Sequence, residues 1–591
     1  MNEFRPTTLV TALHQTVSRH PHKEFIRFHD GSGYASVTFQ EFADRVERLA
    51  SVFIARGLEP GDRVAILGEN RLEWAIADYA AMSAGLISVP IYPTLPANQA
   101  RYILNDSQAR GIVLSSRTQA EKVAEIRQDC PSLELLVTMD TDAAPLLDGA
   151  EALEVLLNRP EATDATARNE LLARRDRVSP EDTVTFIYTS GTTGNPKGVI
   201  LTHDNFISNI QGTLEVLDIG AGDTLLSFLP LSHVFERMVD FLAMYVGATI
   251  VYSRGLRYLA DELREVAPTV MACVPRFYES LQARVLKSAE EAPALRRRLF
   301  YWAMKQGDKA GRRLREGRRV GPLLSLERSL ADRLVLHRLR EAVGGRLRFF
   351  ISGGAPLAVS TAEFFHAAGI LILEGYGLTE TSPVIAVNRP DHFKFGTVGP
   401  PIPGVEVKIA DDGEILTRGR HVMKGYYRLP EETKRAIDPD GWFHTGDLGE
   451  LDEDGFLKIT GRKKNLFKLS NGKYVAPEPI ENALKASPYI AEAVVIGESQ
   501  KAAGAIIVPS FPALEEFAQR EGIPIQPRSE MVRHPLVQKL YRQEIARLTR
   551  DFADYERIRV FSRDRSGVFD RVGRADPYAQ SETSRGTGVH A

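Results

Sequence analysis

A glycine-rich loop between two strand-forming runs constrains this chain more than any other feature. The loop spans residues 188–198, after an apolar, β-rich run at 183–188 and before a second such run at 199–203. Its chemistry comes from Thr189, Ser190, Gly191, Thr192, Thr193, Gly194, Lys197 and Gly198. The glycines allow tight bends that expose N–H groups, the hydroxyls add donors, and Lys197 adds a mobile positive charge. Such convergent donors around one cation suit a polyphosphate.

A polar surface loop is the plainer alternative, because three glycines alone are common in loops. The four hydroxyl residues and the lysine beside a strand favour phosphate binding instead. The loop is not of the Walker A type, since no Gly-Lys-Ser/Thr follows at the required spacing.

The rest of the chain alternates strand and helix patterns, which predicts an α/β fold with mostly parallel sheets. Apolar residues recur at helical spacing over 38–56, a short buried strand follows at 63–68, and a helix at 73–84 leads to a strand at 88–92. The alternation repeats through 107–140 and 205–275. With 591 residues the chain is too long for one core, so two or more domains are expected.

The pattern changes twice towards the C-terminus. From about 403 to 460, short alternating strands with Asp-Gly turns indicate a β-barrel-like subdomain. Residues 462–465 resemble a linker. The sequence therefore predicts a large domain over 1–461, a small mobile α+β domain over 462–560, and a disordered tail over 561–591.

Residues 280–340 form a long, helical and basic insertion in the large domain. Either an anionic membrane or ligand surface, or a solvated helical insertion, would explain such a charge run. The sequence favours the solvated insertion, because most charge runs are simply exposed.

Bulk properties narrow the class of protein. Hydrophobic residues make up 43% and charged residues 26%, as in soluble globular proteins, and the net charge of −3 gives no reason to expect a nucleic-acid partner. Cys130 and Cys273 are too few and too isolated for a disulfide framework or a metal site, which favours a reducing cytoplasm. No signal peptide and no transmembrane helix are expected. Peripheral contact with the inner face of the membrane stays open.

Residues 188–198 resemble, nearly letter for letter, the phosphate loop of the AMP-forming adenylating enzymes. This superfamily includes acyl-CoA synthetases, firefly luciferase and the adenylation domains of peptide synthetases. The resemblance covers roughly residues 10–560. It implies that ATP, Mg²⁺ and a carboxylic acid form an acyl-adenylate with release of pyrophosphate.

Residues 374–380, Glu-Gly-Tyr-Gly-Leu-Thr-Glu, are similar to the adenine and magnesium motif of these enzymes. The resemblance implies that Tyr376 and Gly377 lie against adenine, that Thr379 offers a hydroxyl to phosphate and that Glu380 binds Mg²⁺. Residues Gly353, Gly354 and Ala355 resemble the segment that lines the adenine and acyl pockets, where glycine permits close approach to a ligand.

Residues 441–447 resemble the ribose motif, so Asp447 would accept the ribose hydroxyls and Arg462 would be a second contact. Lys464 stands where the family places its hinge. The small domain of these enzymes rotates between the two half-reactions.

Residues 230–237, Pro-Leu-Ser-His-Val-Phe-Glu-Arg, resemble the long-chain fatty acyl-CoA synthetases. His233 would stand near the acyl carboxylate. Some bacterial relatives carry a gating tryptophan where Arg237 stands, which leaves that gate in doubt here. Residues 467–478 also resemble the long-chain branch, and Lys468 is the candidate there for thioester formation.

The implied substrates are a long-chain fatty acid, ATP and coenzyme A, and the implied enzyme is a fatty acid–CoA ligase. The residues assigned to catalysis are Lys197, His233, Thr379, Glu380 and Lys468. Two alternatives remain at this stage. One is an acyl-AMP ligase that loads a carrier protein, and the other is an adenylation-impaired relative that binds nucleotide or fatty acid.

The C-terminus motivates the second alternative. The family's small domain ends in a motif close to L-T-P-T-L-K, whose lysine bridges the acid and the α-phosphate, and no such motif follows Val560. Possible codons for residues 575–583 give L-T-P-T-L-K-V-R-R when read one base later. We therefore hypothesise a single-base frameshift near residues 557–570.

Overall fold

The computed structural model describes residues 6–189, 195–525 and 527–562. Ser190, Gly191, Thr192, Thr193 and Gly194 of the loop, and the predicted tail beyond 562, lie outside the described residues. No helix of the described part is both long and apolar enough to span a bilayer.

Strands supply the sheets in which the loop and the other motifs are set. In the described residues they are β1 (Glu24–His29), β2 (Tyr34–Thr38), β3 (Arg63–Leu67), β4 (Ile87–Ile91), β5 (Gly111–Leu114), β6 (Leu135–Thr138), β7 (Glu151–Ala152), β8 (Thr183–Thr189), β9 (Lys197–Thr202), β10 (Thr224–Ser227), β11 (Thr249–Tyr252), β12 (Val270–Cys273), β13 (Phe349–Ser352), β14 (Ile372–Gly377), β15 (Val384–Val387), β16 (Val405–Ile409), β17 (Glu414–Gly419), β18 (Gly425–Tyr426), β19 (Phe443–Leu451), β20 (Leu457–Arg462), β21 (Phe467–Lys468), β22 (Tyr474–Val475), β23 (Ile490–Ile496), β24 (Gly504–Pro509) and β25 (Val560–Ser562).

Helices connect and cover these strands. Over the same residues they are α1 (Leu9–Arg19), α2 (Phe39–Ala55), α3 (Leu72–Ser83), α4 (Ala97–Ser107), α5 (Arg117–Ile126), α6 (Leu153–Leu157), α7 (Ala165–Arg177), α8 (His203–Leu214), α9 (Val234–Val246), α10 (Leu259–Val266), α11 (Pro275–Glu291), α12 (Ala294–Arg315), α13 (Pro322–Ala331), α14 (His337–Glu341), α15 (Val359–Ala367), α16 (Pro430–Ala436), α17 (Pro477–Lys485), α18 (Phe511–Arg520), α19 (Arg528–Arg533) and α20 (Pro535–Leu548).

Two eight-stranded sheets dominate the fold. One runs β15-β14-β13-β12-β10-β11-β1-β2 and the other β18-β9-β8-β4-β3-β5-β6-β7. Most neighbouring pairs are parallel, as in β3–β4, β12–β13 and β13–β14. Strands such as Ile87–Ile91 are buried along their whole length, because helices cover both faces of such sheets. The α/β class predicted from the alternation is confirmed.

Local sequence chemistry explains where individual helices begin. Helix α2 starts after Thr38, whose hydroxyl accepts from the backbone N–H of Glu41 while the Glu41 carboxylate accepts from the backbone N–H of Thr38. This capping box fixes the first turn, and the apolar stripe that predicted a helix over 38–56 faces the core.

Smaller sheets follow residue 404. The region where the sequence predicts a β-barrel-like subdomain holds a four-stranded sheet in the order β16-β17-β19-β20. Strands β21 and β22 form a hairpin, and β23, β24 and β25 form a three-stranded sheet. The latter packs with α17 and α20 around apolar side chains such as Leu484, Ile507 and Tyr541.

The chain divides into two compact units. The first comprises Met1–Lys408, Leu416–Thr445 and Leu451–Leu457, and the second Ile409–Ile415, Gly446–Glu450 and Lys458–Ala591. The sequence predicted one cut after residue 461. The division differs because residues 409–415 and 446–450, from the region of the four-stranded sheet, group with the chain that follows residue 457.

Candidate active site

The ends of parallel strands bring several predicted residues to one edge of the first sheet. Strands β10, β12, β13 and β14 are neighbours and mutually parallel, so their carboxyl ends share that edge. His233 follows β10, the segment 353–355 follows β13, and Thr379 and Glu380 follow β14. Ligands of α/β sheets bind at such an edge.

The loop itself begins and ends on two paired strands of the second sheet. Strands β8 and β9 are antiparallel, and Thr189 is opposite Lys197 at the base of the loop. On its other side β9 pairs with β18, where Tyr426 is opposite Val199. This register brings Tyr426 next to the loop's lysine.

Lys197 has two contacts at the base of the loop. Its Nζ lies 2.7 Å from Oε2 of Glu432 in α16 and 5.2 Å from the centre of the Tyr426 ring. The ammonium group keeps the pKa of Glu432 below its ordinary value. Both side chains of the pair are about one-third exposed, so the lysine can exchange this carboxylate for a phosphate.

Glu380 contacts Tyr426 at its hydroxyl group. The Tyr426 hydroxyl donates to Oε1 of Glu380 at 2.9 Å, and the backbone N–H of Met423 donates to the carbonyl of Glu380 at 2.8 Å. Burial, followed by the nearby Glu380 carboxylate, raises the pKa of Tyr426 far above its usual range. Tyr426 therefore stays protonated and orients one carboxylate oxygen of Glu380.

The described residues do not by themselves build a cage for a metal ion. Within the described ranges no three His, Cys, Asp or Glu side chains cluster as a ligand set. Magnesium in nucleotide sites is usually held by one or two carboxylates, with phosphate oxygens completing the shell. The single oriented carboxylate of Glu380 fits that mode of binding.

Two of the predicted glycines are required by close packing. A side chain at Gly377 would meet the carbonyl oxygen of Pro383 at 1.7 Å, which no rearrangement of a side chain could relieve. A side chain at Gly353 would stand 3.0 Å from the ring of Phe235 in α9. Gly354 has a φ of +79° and is exposed, as is Ala355.

Tyr376 is half-buried in β14, opposite Ala386 of β15. One residue of the same motif that the sequence did not single out is Glu374. It is buried, accepts from the backbone N–H of Leu357 at 3.3 Å, and burial raises its pKa to about 7.

His233 caps the N-terminus of α9. Its Nδ1 accepts from the backbone N–H of Phe235 at 3.1 Å, which assigns the proton of the neutral ring to Nε2. Burial lowers the pKa of His233, so the ring is neutral at physiological pH. An Nε2–H donor at this sheet edge suits a carboxylate ligand.

Arg237 is fully buried in the core, where its guanidinium group hydrogen-bonds to neighbouring elements. Its Nε and Nη2 donate to the two carboxylate oxygens of Asp78 at 2.9 and 2.5 Å. Its Nη1 donates to Thr185 at 2.7 Å and Nη2 to Ser88 at 2.6 Å. Because Thr185 belongs to β8, Arg237 fixes α9 to the strand that enters the loop.

The residues with a predicted ribose role lie in the second unit. The Asp447 carboxylate is buried, and its Oδ1 lies 2.9 Å from Nε of Arg462. The two side chains that the sequence paired are therefore in direct contact. Lys463 beside them pairs with Asp412 at 2.6 Å and with Glu414 at 3.0 Å.

Lys464 and Lys468 are both exposed. Lys464 lies in the short 3₁₀ turn Lys463–Asn465 that follows β20, where the sequence predicts a hinge. Lys468 lies in β21, with Nζ 5.4 Å from the centre of the Tyr474 ring across the hairpin.

Sequence reasoning missed Tyr426, Glu432 and Phe235. Tyr426 and Glu380 are 46 residues apart and Lys197 and Glu432 are 235 apart, so no local spacing connects them. Phe235 belongs to the motif at residues 230–237, but only the structure shows that its ring packs against Gly353.

Comparison with known proteins gives two family matches. Residues 13–427 match the family described as AMP-binding enzyme, and residues 464–551 match the AMP-binding enzyme C-terminal domain.

Characterised proteins are similar over most of the chain. Long-chain-fatty-acid–CoA ligase FadD15 of Mycobacterium tuberculosis is 39% identical over 82% of this chain and 79% of its own length. Human long-chain-fatty-acid–CoA ligase 1 is 33% identical over 88% of this chain and 76% of its own length. The crystal structure of ATP-bound MatB from Rhodopseudomonas palustris has a TM-score of 0.67 at 26% identity, covering 94% of this chain and 95% of that chain.

Proposed function

This chain belongs to the AMP-binding enzyme family, and on that premise we propose that it is a long-chain fatty acid–CoA ligase. The observation that carries the proposal is the arrangement at the loop. Lys197 lies over the ring of Tyr426, and Glu380 accepts a hydrogen bond from the hydroxyl of the same tyrosine. A cation and a carboxylate so placed suit the two charged partners of MgATP, its phosphates and its metal.

The reaction has two displacements. A carboxylate oxygen of the fatty acid attacks the α-phosphorus of ATP, the bond to the bridging oxygen breaks, and pyrophosphate leaves. The thiol of coenzyme A, having lost its proton, then attacks the acyl carbon, and AMP leaves. The products are acyl-CoA, AMP and pyrophosphate, and no protein nucleophile is needed.

Positioning and charge neutralisation carry the first step. Lys197 exchanges Glu432 for the phosphates, and the hydroxyl of Thr379 supplies a further donor. Thr189 and the loop residues Ser190 to Gly194 would contribute further hydrogen-bond donors to the phosphates. Glu380 would hold Mg²⁺, which would neutralise part of the phosphate charge.

His233 positions the fatty acid. Because its pKa is lowered by burial, the ring is neutral and donates from Nε2 to the carboxylate without holding it as an ion pair. The carboxylate therefore keeps its nucleophilic charge. Gly353, Gly354 and Ala355 form a backbone surface near which adenine and the acyl chain would bind, with Tyr376 and Gly377 beside adenine.

The second unit would contribute to both steps. Asp447 and Arg462 hold the ribose hydroxyls, for which the Asp447–Arg462 pair offers an acceptor and a donor. Lys468 acts in thioester formation, since it is exposed on a hairpin and free to reach a ligand. Lys464 is the hinge between the two arrangements that the two steps require.

The long-chain specificity rests on the relatives, whose names specify long-chain fatty acids. We also propose cytoplasmic location with peripheral contact at the inner face of the membrane, because long-chain fatty acids partition into bilayers.

A pyrophosphate-release screen over fatty acids from acetate to arachidate tests the proposal. We expect release with long chains, and acyl-CoA as product when coenzyme A is present. Glu380→Gln serves as the inactive control, with a rate about 10²–10³-fold lower because a preorganised charge is lost.

Two results would refute the proposal. Pyrophosphate release without acyl-CoA would indicate that the adenylate passes to a carrier protein. Release only with short or aromatic acids would refute the substrate class.

A further inference from the structure

The basic insertion exposes several leucines to solvent. Six leucines of α12, of α13 and of the segments next to α13 are between 41% and 79% exposed: Leu295, Leu314, Leu323, Leu326, Leu330 and Leu334. Single exposed leucines are ordinary, but a concentration of them in one segment marks an interaction surface.

Three of these leucines share one face of α13. Leu323, Leu326 and Leu330 follow the spacing i, i+3 and i+7, which places them on one side of a helix. Ala331, on another side of the same helix, is fully buried. The leucine side therefore points away from the core of the unit.

Positive charge surrounds these leucines. Residues 294–340 contain fourteen Lys and Arg and four Asp and Glu, a net charge of +10, whereas the whole chain has −3. Arg296, Arg298, Arg313 and Arg319 are exposed and form no ion pair with any residue in the described ranges. Arg333 is exposed three residues after Leu330 and so lies near the leucine side of α13.

A surface cleft of about 600 Å³ lies where the two helices adjoin. Four cations line it, together with two carboxylates and two leucines: Lys309, Arg312, Arg313, Arg318, Glu316, Glu327, Leu323 and Leu324. With four cations against two carboxylates the cleft keeps a net positive charge, and with its leucines it suits a phosphate group attached to an apolar chain.

We propose that this leucine–arginine face binds the surface of an anionic lipid bilayer. Leu323, Leu326 and Leu330 insert among the acyl chains at the headgroup boundary. The arginines bind lipid phosphates, and the cleft takes a headgroup. This arrangement is that of amphipathic helices which lie in the plane of a bilayer interface.

The chemistry of the face favours lipid over an acidic protein. The centre of a protein interface is usually a packed, largely uncharged patch rich in aromatic residues. Here, leucines are dispersed among unpaired arginines, which suits a fluid surface that can adapt to them. The proposal assigns a surface to the membrane contact proposed above and rests on it, but it is tested without substrates, so its failure would leave the proposed catalytic function untouched.

The test measures binding of the full chain to vesicles by co-sedimentation. We expect at least about tenfold tighter binding to vesicles of equal parts phosphatidylglycerol and phosphatidylcholine than to phosphatidylcholine alone, and weaker binding at high salt. The triple variant Leu323→Ser, Leu326→Ser, Leu330→Ser should bind the anionic vesicles about tenfold more weakly. Leu256→Ser is the matched control, because Leu256 is 74% exposed but lies outside the insertion.

The double variant Arg313→Ala, Arg319→Ala separates charge from apolar insertion, and it should lose much of the preference for anionic vesicles. Equal binding of the wild-type chain to both kinds of vesicle would overturn the proposal. So would unchanged binding of both variants. A dimer that light scattering detects in the wild-type chain and not in the leucine variant would assign the face to a second copy instead. A thermal unfolding curve like that of the wild type confirms that each variant is folded.

Discussion

The hydroxyl of Tyr426 donates a 2.9 Å hydrogen bond to Glu380, and the ring of the same tyrosine lies under the ammonium group of Lys197. One side chain thus touches both charged groups that the proposed chemistry uses. Strand β18 holds it there by pairing with β9. Tyr426 is therefore a positioning residue whose effect should be measurable apart from stability.

Removing the Tyr426 hydroxyl should slow adenylation. Tyr426→Phe keeps the ring beside Lys197 but removes the hydroxyl that donates to Oε1 of Glu380, and we expect the rate of pyrophosphate release to fall about tenfold. The Mg²⁺ concentration needed for half-maximal rate should rise as well, which a purely structural role would not cause.

Tyr427→Phe is the matched control. Tyr427 is the next residue along the chain, and its ring packs on Phe186 with 4.4 Å between the ring centres. Equal effects of the two substitutions, or an unchanged Mg²⁺ requirement in Tyr426→Phe, would contradict the assigned role.

The fold was predictable wherever the pattern was local. The helix over residues 38–56 and the strands around the loop followed from apolar periodicity and from glycine, and the structure has them at Phe39–Ala55, Thr183–Thr189 and Lys197–Thr202. The parallel order of neighbouring strands then explains why motifs far apart in the chain meet at one sheet edge.

The contacts between distant residues were not predictable. Nothing in one sequence links Lys197 to Glu432, because their pairing depends on how β9, β18 and α16 pack. In the sequence, Arg237 stood out only because some bacterial relatives carry a gating tryptophan at its position. Only the structure reveals its buried ion pair with Asp78. Side-chain partners of this kind arise from tertiary packing, which propensity and spacing do not encode.

Lys468 should act in the second half-reaction. Lys468→Ala is expected to slow thioester formation from supplied acyl-AMP more than it slows adenylation, measured as acyl-CoA and pyrophosphate formation respectively. The side chain is exposed, so the substitution should leave the fold intact. Lys473→Ala, in the same hairpin region with its Nζ 5.9 Å from the Tyr555 ring, is the control. An equal loss in both half-reactions would argue against a separate role in thioester formation.

The gene should show a change of reading frame near the C-terminus. Resequencing is expected to reveal a single-base shift near residues 557–570, after which the frame encodes the lysine motif that residues 575–583 conceal. A frame-restored chain should release pyrophosphate faster than the 591-residue chain, because the restored motif would add the lysine that bridges the acid and the α-phosphate in the adenylating enzymes it resembles. A shifted frame without the motif refutes the first expectation, and equal rates refute the second.

Loss of Arg237 should destabilise the first unit. Arg237→Ala leaves the Asp78 carboxylate buried without its partner, and such an uncompensated charge typically costs about 3–5 kcal/mol. Replacing the pair by apolar residues in Arg237→Met, Asp78→Leu should recover part of that loss, since buried pairs and apolar pairs are often similar in stability. Urea unfolding measures both variants. If the free energy of unfolding of Arg237→Ala lies within about 1 kcal/mol of the wild-type value, water must reach Asp78.

Stability should also depend on the protonation of Glu236, which is buried in α9. Burial raises its pKa to about 8 from the ordinary value of 4.5. The native state therefore holds a proton that the unfolded state loses, so the stabilising effect is complete below pH 4.5 and is lost as the pH rises to about 8.

Glu236→Gln is neutral at every pH and should remove this dependence. The free energy of unfolding of the wild type relative to Glu236→Gln is expected to fall by about 1.4 kcal/mol per pH unit within that range. Urea unfolding at several pH values measures it. Glu41→Gln is the control: hydrogen bonds from Thr38 lower the pKa of Glu41, so the difference in stability between the wild type and this variant changes with pH only below the ordinary pKa of 4.5 and stays flat at higher pH. A flat difference for Glu236→Gln too would mean that this carboxyl is ionised in the folded protein.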